Sequence, residues 1–132
     1  MDTIDLDTSI FVFGSNLSGI HGAGAARAAR LHYGAQLGVG EGLTGRSYAL
    51  PTVGYHIKPI TFDEVQNHVL NFNVFARSRP DLTFQVTQVG CGLGGFSKQV
   101  IAPMFEMSPD NCWFDSQWKN FMRTHTKFWG TF

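Results

Sequence analysis

The chain has 132 residues, which at roughly 100–200 residues per domain is one domain, large enough to bury a real core. Its 10 Lys and Arg cancel its 10 Asp and Glu, which argues against a general nucleic-acid binder but not against a protein that holds one small anion. With 43% hydrophobic and 15% charged residues, disorder is excluded. No apolar run reaches the roughly 18–20 residues of a membrane span. The acidic start Met1-Asp2-Thr3-Ile4-Asp5 lacks the basic residues that open a secretory signal. Cys91 and Cys112 make neither a disulfide framework nor a zinc quartet. A soluble, cytoplasmic, single-domain protein over residues 1–132 is the expectation.

Along the chain, Ile10-Phe11-Val12-Phe13 reads as a strand buried on both faces and ends in Gly14. Residues 14–24 read as loop, and the Ala-rich stretch from Ala25 to Tyr33 as helix, with Gly34 placed to cap its end. The Gly-rich stretch Gly38-Val39-Gly40-Glu41-Gly42-Leu43-Thr44-Gly45 reads as too flexible for regular structure. Ser47-Tyr48-Ala49-Leu50 reads as a short strand stopped by Pro51. The clearest helix begins at Thr61. Thr61 and Glu64 form a capping box, Ile60 and Val65 a hydrophobic staple, and Phe62, Val65, Val69, Phe72 and Ala76 one apolar stripe. Arg77 and Arg79 suit the negative helix end, and Pro80 stops it. Residues 82–89 alternate in period two, as a strand does, and run into Gly90-Cys91-Gly92-Leu93-Gly94-Gly95. A short helix should follow with Val100, Ile101, Met104 and Phe105, its regular part delayed by Pro103 to as late as Ala102. Residues 111–114 read as a last strand, and 116–124 as a helix with Trp118, Phe121 and Met122 inward.

This alternation predicts an α/β fold: a three-layer α/β/α sandwich with a mostly parallel central sheet. In such sheets ligands bind beyond the carboxyl ends of the strands, and both polar Gly-rich loops, 14–24 and 90–96, follow predicted strands. They should share one sheet edge. Glycines between a strand and a helix let backbone amides approach a ligand, and with the helix N-terminus they favour a phosphate. Neither the phosphate loop of nucleoside triphosphatases nor Gly-x-Gly-x-x-Gly occurs in the first loop.

The first loop, Phe13-Gly14-Ser15-Asn16-Leu17-Ser18-Gly19-Ile20-His21-Gly22-Ala23-Gly24, resembles the first binding loop of macrodomains, an Asn after a buried strand followed by glycines leading into a helix. The second, residues 89–97, resembles the macrodomain loop Ser-Thr-Gly-Ile-Tyr-Gly-Tyr/Phe. Over residues 8–122 the chain is similar to small macrodomain-like proteins of tailed phages and bacteria. The shared pieces are Phe-Gly-Ser-Asn-Leu, Gly-Arg-Ser-Tyr-Ala-Leu-Pro-Thr at 45–52, Val-Thr-Gln-Val-Gly-Cys-Gly-Leu at 86–93 and Ile-Ala-Pro-Met-Phe at 101–105. The resemblance implies a macrodomain-like fold that binds ADP-ribose or a related nucleotide, in the host cytoplasm if a phage encodes it. It implies Asn16 at the distal ribose, with Gly22 and Gly24 at the diphosphate or that ribose. Gly92, Leu93, Gly94 and Gly95 wrap the diphosphate, Phe96 packs on a ribose or base, and Thr52 lines the cleft. Gly14, Gly90 and Cys91 complete the ligand-binding set. Asp2, Asp5 and Asp7 are the choices for an adenine-recognising carboxylate. Two departures matter: His21 stands where macrodomains usually have glycine, and Ala26 where de-ADP-ribosylating members carry a catalytic Asp.

Simpler readings stand beside these. Asn16 closes an Asx-turn, Cys91 is a packing residue, and Phe96 belongs to the core. His21 is a solvated loop residue or, as the one titratable group in its loop, a catalytic acid or base. His32, His56, His68 and His125 show no metal-ligand spacing, so neither a metal nor a cofactor is expected. The aromatic tail 128–132 either docks back or joins a homodimer. Three functions follow: a reader or sequestering protein for ADP-ribose, a phosphatase- or esterase-type hydrolase of ADP-ribose derivatives using His21, or an interaction protein with no nucleotide ligand. No nucleic-acid or membrane partner is expected.

Overall fold

The computed structural model describes residues 3–132, and Asp2 lies outside them. Six strands form one sheet in the order β2-β3-β1-β4-β5-β6: β1 (Ile10–Asn16), β2 (Gly42–Thr44), β3 (Ser47–Val53), β4 (Phe84–Val86), β5 (Cys112–Asp115) and β6 (Phe128–Gly130). All pairings are parallel except β2 with β3. Three α-helices accompany them: α1 (Gly24–His32), α2 (Phe62–Ser78) and the short α3 (Lys98–Ile101). No described helix is long and apolar enough to cross a membrane.

The period-two alternation of β1 divides the core. Phe11 and Phe13, with Ala49 of β3, face the Ala-rich helix α1, where Ala29 is fully buried. Ile10 and Val12 point the other way, into a larger cluster with the α2 stripe Val65, Val69, Phe72 and Ala76 and with Phe105, Phe114 and Trp118. The α/β architecture and the mostly parallel sheet are therefore as the sequence implies. Helix α2 carries the expected capping box: Thr61 Oγ1 accepts from the Glu64 amide, and Glu64 Oε1 accepts from the Thr61 amide. Gly34 follows α1 at φ +76°, with the Ala35 amide donating to the Ala29 carbonyl, the left-handed helix ending that glycine permits.

Five expectations fail in instructive ways. Strand β3 runs straight through Pro51. The Arg46 carbonyl faces β1, so alternate residues 48, 50 and 52 do so too, and Pro51 faces the other side. There β2 reaches only to Ala49, so the missing N–H has no ladder partner to lose. The glycine-rich stretch, expected to be irregular, supplies β2 as a hairpin onto β3 through the two-residue turn at Gly45 and Arg46. Strand β4 is only three residues rather than eight, because the amide and hydroxyl of Thr87 both donate to the Val12 carbonyl and Val89 turns back onto Thr87. The helix after the second loop is α only to Ile101 and tightens to a 3-10 turn over Ala102–Phe105 around Pro103, with Val100 at its surface. Residues Ser116–Phe121 are a 3-10 helix, begun where the Asp115 carboxylate accepts the Gln117 amide, with Trp118 fully buried. The aromatic tail docks back as β6, parallel to β5.

Candidate functional site

A cleft of about 600 Å³ opens at the carboxyl ends of β1, β3 and β4. Both glycine loops line it, as their positions after parallel strands imply. The structure brings together Gly14, Asn16, Gly22, Gly24, Thr52, Gly90, Cys91, Gly92, Leu93 and Gly94. Its floor is close-packed backbone. A Cβ on Gly14 would sit 3.2 Å from Thr52 Oγ1 and 3.3 Å from the Gly90 nitrogen, so a side chain here would crowd the place where the two loops meet. Gly92, by contrast, faces open space.

Three expected site residues lie elsewhere. His21 is 1% exposed and does not line the cleft. Its ring stands edge-on to Phe13 at 5.1 Å, and Nε2 lies 3.2 Å from the Gln36 carbonyl. Burial lowers its pKa below the ordinary 6.5, outweighing the carbonyls of Gln36 and Val39 that favour the proton. The apolar surroundings of Phe13 draw the imidazole inward, so His21 is a packing residue rather than an acid or base at the mouth. Phe96 is half-buried against the larger core, which absorbs its ring where a ligand platform was expected. Gly95 only turns the second loop, its amide donating to the Gly92 carbonyl.

Two of the three carboxylate choices for adenine, Asp5 and Asp7, also fall away. Strand β1 is seven residues, roughly 20 Å at about 3.3 Å per residue, and Asp5 and Asp7 precede it. They are at the opposite end from the cleft, and Asp5 borders a separate, shallower groove there with Thr83, Asn111 and Lys127. Asp2 cannot be placed, as it lies outside the described residues.

The lining contains no Asp, Glu, Lys, Arg or His among the described residues. What it offers is backbone. Helix α1 begins at the cleft with Ala23 as N-cap, which supplies no side-chain cap, so its first-turn amides are left open. In the second loop the amides of Cys91, Gly95 and Phe96 are spent on Gln88, Gly92 and Gly90. Those of Gly92, Leu93 and Gly94 donate to no acceptor among the described residues. The Asn16 side chain is used within its own loop, donating to the Ile20 carbonyl at 2.7 Å and accepting the Ile20 amide at 3.1 Å. Cys91 is a poor nucleophile: burial raises its thiol pKa, and neither the Trp118 indole nor Lys98 offsets this.

Sequence reasoning missed part of the rim. Ile20, Ile57 and Phe132 line the mouth and are at least half exposed, as is Leu93. Exposed apolar residues at loop tips carry no sequence pattern, and Phe132 arrives only because β6 docks. Ala25 and Ala26 also line the cleft, Ala26 at the position where the resemblance would put a catalytic carboxylate. No family model, curated protein or solved structure matches the chain.

Proposed function

We propose that the cleft binds ADP-ribose or a related ADP-ribose-derived nucleotide, holding its diphosphate between the start of α1 and the second glycine loop, as in a macrodomain. The observation that carries this reading is the convergence of uncommitted amides from two loops on one uncharged cleft. Such amides, with the positive end of a nine-residue helix, favour an anion without any basic side chain. A volume of about 600 Å³ suits a nucleotide-sized ligand, and the apolar rim suits its base and sugars. The resemblance of both loops to macrodomain loops names the particular ligand.

The reading is recognition without turnover. Burial of His21, the raised pKa of the Cys91 thiol and an alanine, Ala26, where the resemblance would put a catalytic carboxylate all favour a reader or sequestering protein over a hydrolase. Calorimetric titration with ADP-ribose tests it, with the Gly92→Glu variant as control. A glutamate there has room in the fold and sets a like charge against the diphosphate. Binding by the wild type that survives unchanged in folded Gly92→Glu would place the ligand elsewhere. No binding at millimolar concentration would leave an interaction protein with structural loops.

A further inference from the structure

Beyond the two glycine loops, the cleft has a wall that neither loop supplies. Phe132 lines it with 58% of its surface exposed, resting edge-on against Phe11 at 5.8 Å between ring centroids. An aromatic ring left half in solvent at the mouth of a cleft is a stacking surface in want of a flat partner. Its placement is not left to the ring. Asp115, at the end of β5, is fully buried, and its Oδ2 accepts both the Phe132 amide at 3.0 Å and the Thr131 hydroxyl at 3.1 Å. Its Oδ1 accepts the Gln117 amide at 2.8 Å. The Trp129 indole donates to the Val86 carbonyl at 2.9 Å, pinning the same segment to the end of β4. Three bonds, two of them to one carboxylate, therefore fix the position of the segment that ends in this ring, and the Gln117 amide holds the carboxylate itself.

A buried carboxylate is costly unless its acceptor sites are filled, and here two of the three donors belong to residues 131 and 132. The other chemistry of the rim points the same way. Among the described residues the lining has no carboxylate; of its two amide side chains Asn16 is committed to Ile20, and Gln88 carries both a donor and an acceptor, so it pairs with an amino or a carbonyl base edge by turning its amide. A base held on Phe132 is chosen for its flat face and not for its pattern of donors and acceptors.

We infer that Phe132 is the base-stacking residue of the cleft and Asp115 its positioning residue, so that the cleft takes nucleotides by the aromatic ring and scarcely distinguishes one purine from another. The inference rests on the nucleotide reading of the cleft and adds to it the residues and the selectivity.

The test is calorimetric titration of the full chain with ADP-ribose, with its analogue carrying hypoxanthine in place of adenine, and with inorganic pyrophosphate, which has no base. In the wild type the two nucleotides should bind within about threefold of each other. Phe132→Ala should weaken both by about fivefold or more, the range of one lost base stack, and leave pyrophosphate unchanged. Phe132→Trp should restore both nucleotides. Asp115→Asn and Thr131→Val, which loosen the wall without touching the ring, should weaken the nucleotides alone; Thr131 is exposed, so its variant folds even where Asp115→Asn does not. A merely structural role for Asp115 would lower pyrophosphate affinity equally, and that result overturns its positioning role. A wild-type preference of about tenfold or more for adenine, or full affinity in Phe132→Ala, overturns stacking selection while leaving nucleotide binding intact. Failure of ADP-ribose to bind the wild type removes the nucleotide reading and this inference with it.

Discussion

The two glycine loops meet at the same cleft but are built oppositely. The first is bolted down. Asn16 clamps Ile20 in both directions, the Gly38 amide donates to the Gly19 carbonyl, Arg30 donates to the His21 carbonyl, and the His21 ring fills space beside Phe13. The second has backbone hydrogen bonds only within itself, from Cys91 to Gln88, Gly95 to Gly92 and Phe96 to Gly90, and packs on the larger core through Cys91 and Phe96. Gly19 serves packing in the first loop and Gly92 faces open space in the second. The first loop is thus a fixed wall that opens only at Gly22, Gly24 and the start of α1, whereas the second leaves the amides of Gly92, Leu93 and Gly94 open.

The largest expected effect comes from breaking the rigid side. Gly19 has φ +70°, and a Cβ there would fall within 2.6 Å of the Val39 nitrogen. Gly19→Ala combines left-handed strain with an overpacked backbone contact, and should cost about 2–4 kcal/mol in denaturant unfolding. Gly92→Ala, in open space at an ordinary φ, should change stability by less than about 0.5 kcal/mol. Equal costs at the two sites would erase the contrast between the loops.

Next in size is the effect on binding. Gly92→Glu should lower ADP-ribose affinity at least about tenfold, or about 1.4 kcal/mol, with its melting temperature preserved. Gly94 is a poorer probe, since its Cβ would press on the Gly90 carbonyl at 3.0 Å and distort the loop itself.

Asn16→Ala removes two hydrogen bonds that close the first loop around Ile20, whose own side chain is half exposed. The expected cost is about 1 kcal/mol of stability, because water reaches the freed groups. Affinity should fall with it only through loosening of the loop. Asn16→Asp keeps the acceptor but turns a carboxylate oxygen towards the Ile20 carbonyl, and should recover neither stability nor affinity. A full loss of binding with unchanged stability would mean that the amide touches the ligand directly.

The smallest effect is the pH response of His21. Its folded-state pKa is lowered by burial, so below 6.5 the unfolded chain takes up the proton first. Stability contributed by the neutral ring is complete above about pH 6.5 and declines as pH falls towards and through the lowered folded value. Thermal melts of wild type against His21→Gln between pH 7 and pH 5 should show this decline in the wild type only. ADP-ribose affinity should not strengthen as pH falls through this window, because the ring does not reach the cleft. Tighter binding at pH 6 than at pH 8 that disappears in His21→Gln would restore a ligand contact.

Much of the scaffold was legible because local physics and tertiary packing agree there. Thr61 with Glu64, the stripe from Val65 to Ala76, and the run Ile10–Phe13 each need no distant partner to be recognised. The convergence of the two loops was legible for a topological reason: both follow strands of a parallel sheet. The tail was legible only as a choice between docking back and joining a homodimer, since Phe128–Gly130 form a strand only through pairing with β5, and Thr131 and Phe132 are held by Asp115. Nor was β2, whose glycines disfavour any strand until β3 offers an edge.

The sequence by itself determined the α/β class, the capped helix α2 and the presence of two glycine loops beyond strand ends, because periodicity, capping and strand–loop order are short-range properties of the chain. Only the tertiary structure decided which polar residues reach the cleft. It buried His21 beside Phe13, left Asp5 and Asp7 at the far end of β1, laid Phe96 half-buried against the larger core and brought Phe132 to the rim. Which way a loop side chain turns depends on what packs against it from elsewhere in the fold, and that information is held by contacts between residues far apart in sequence.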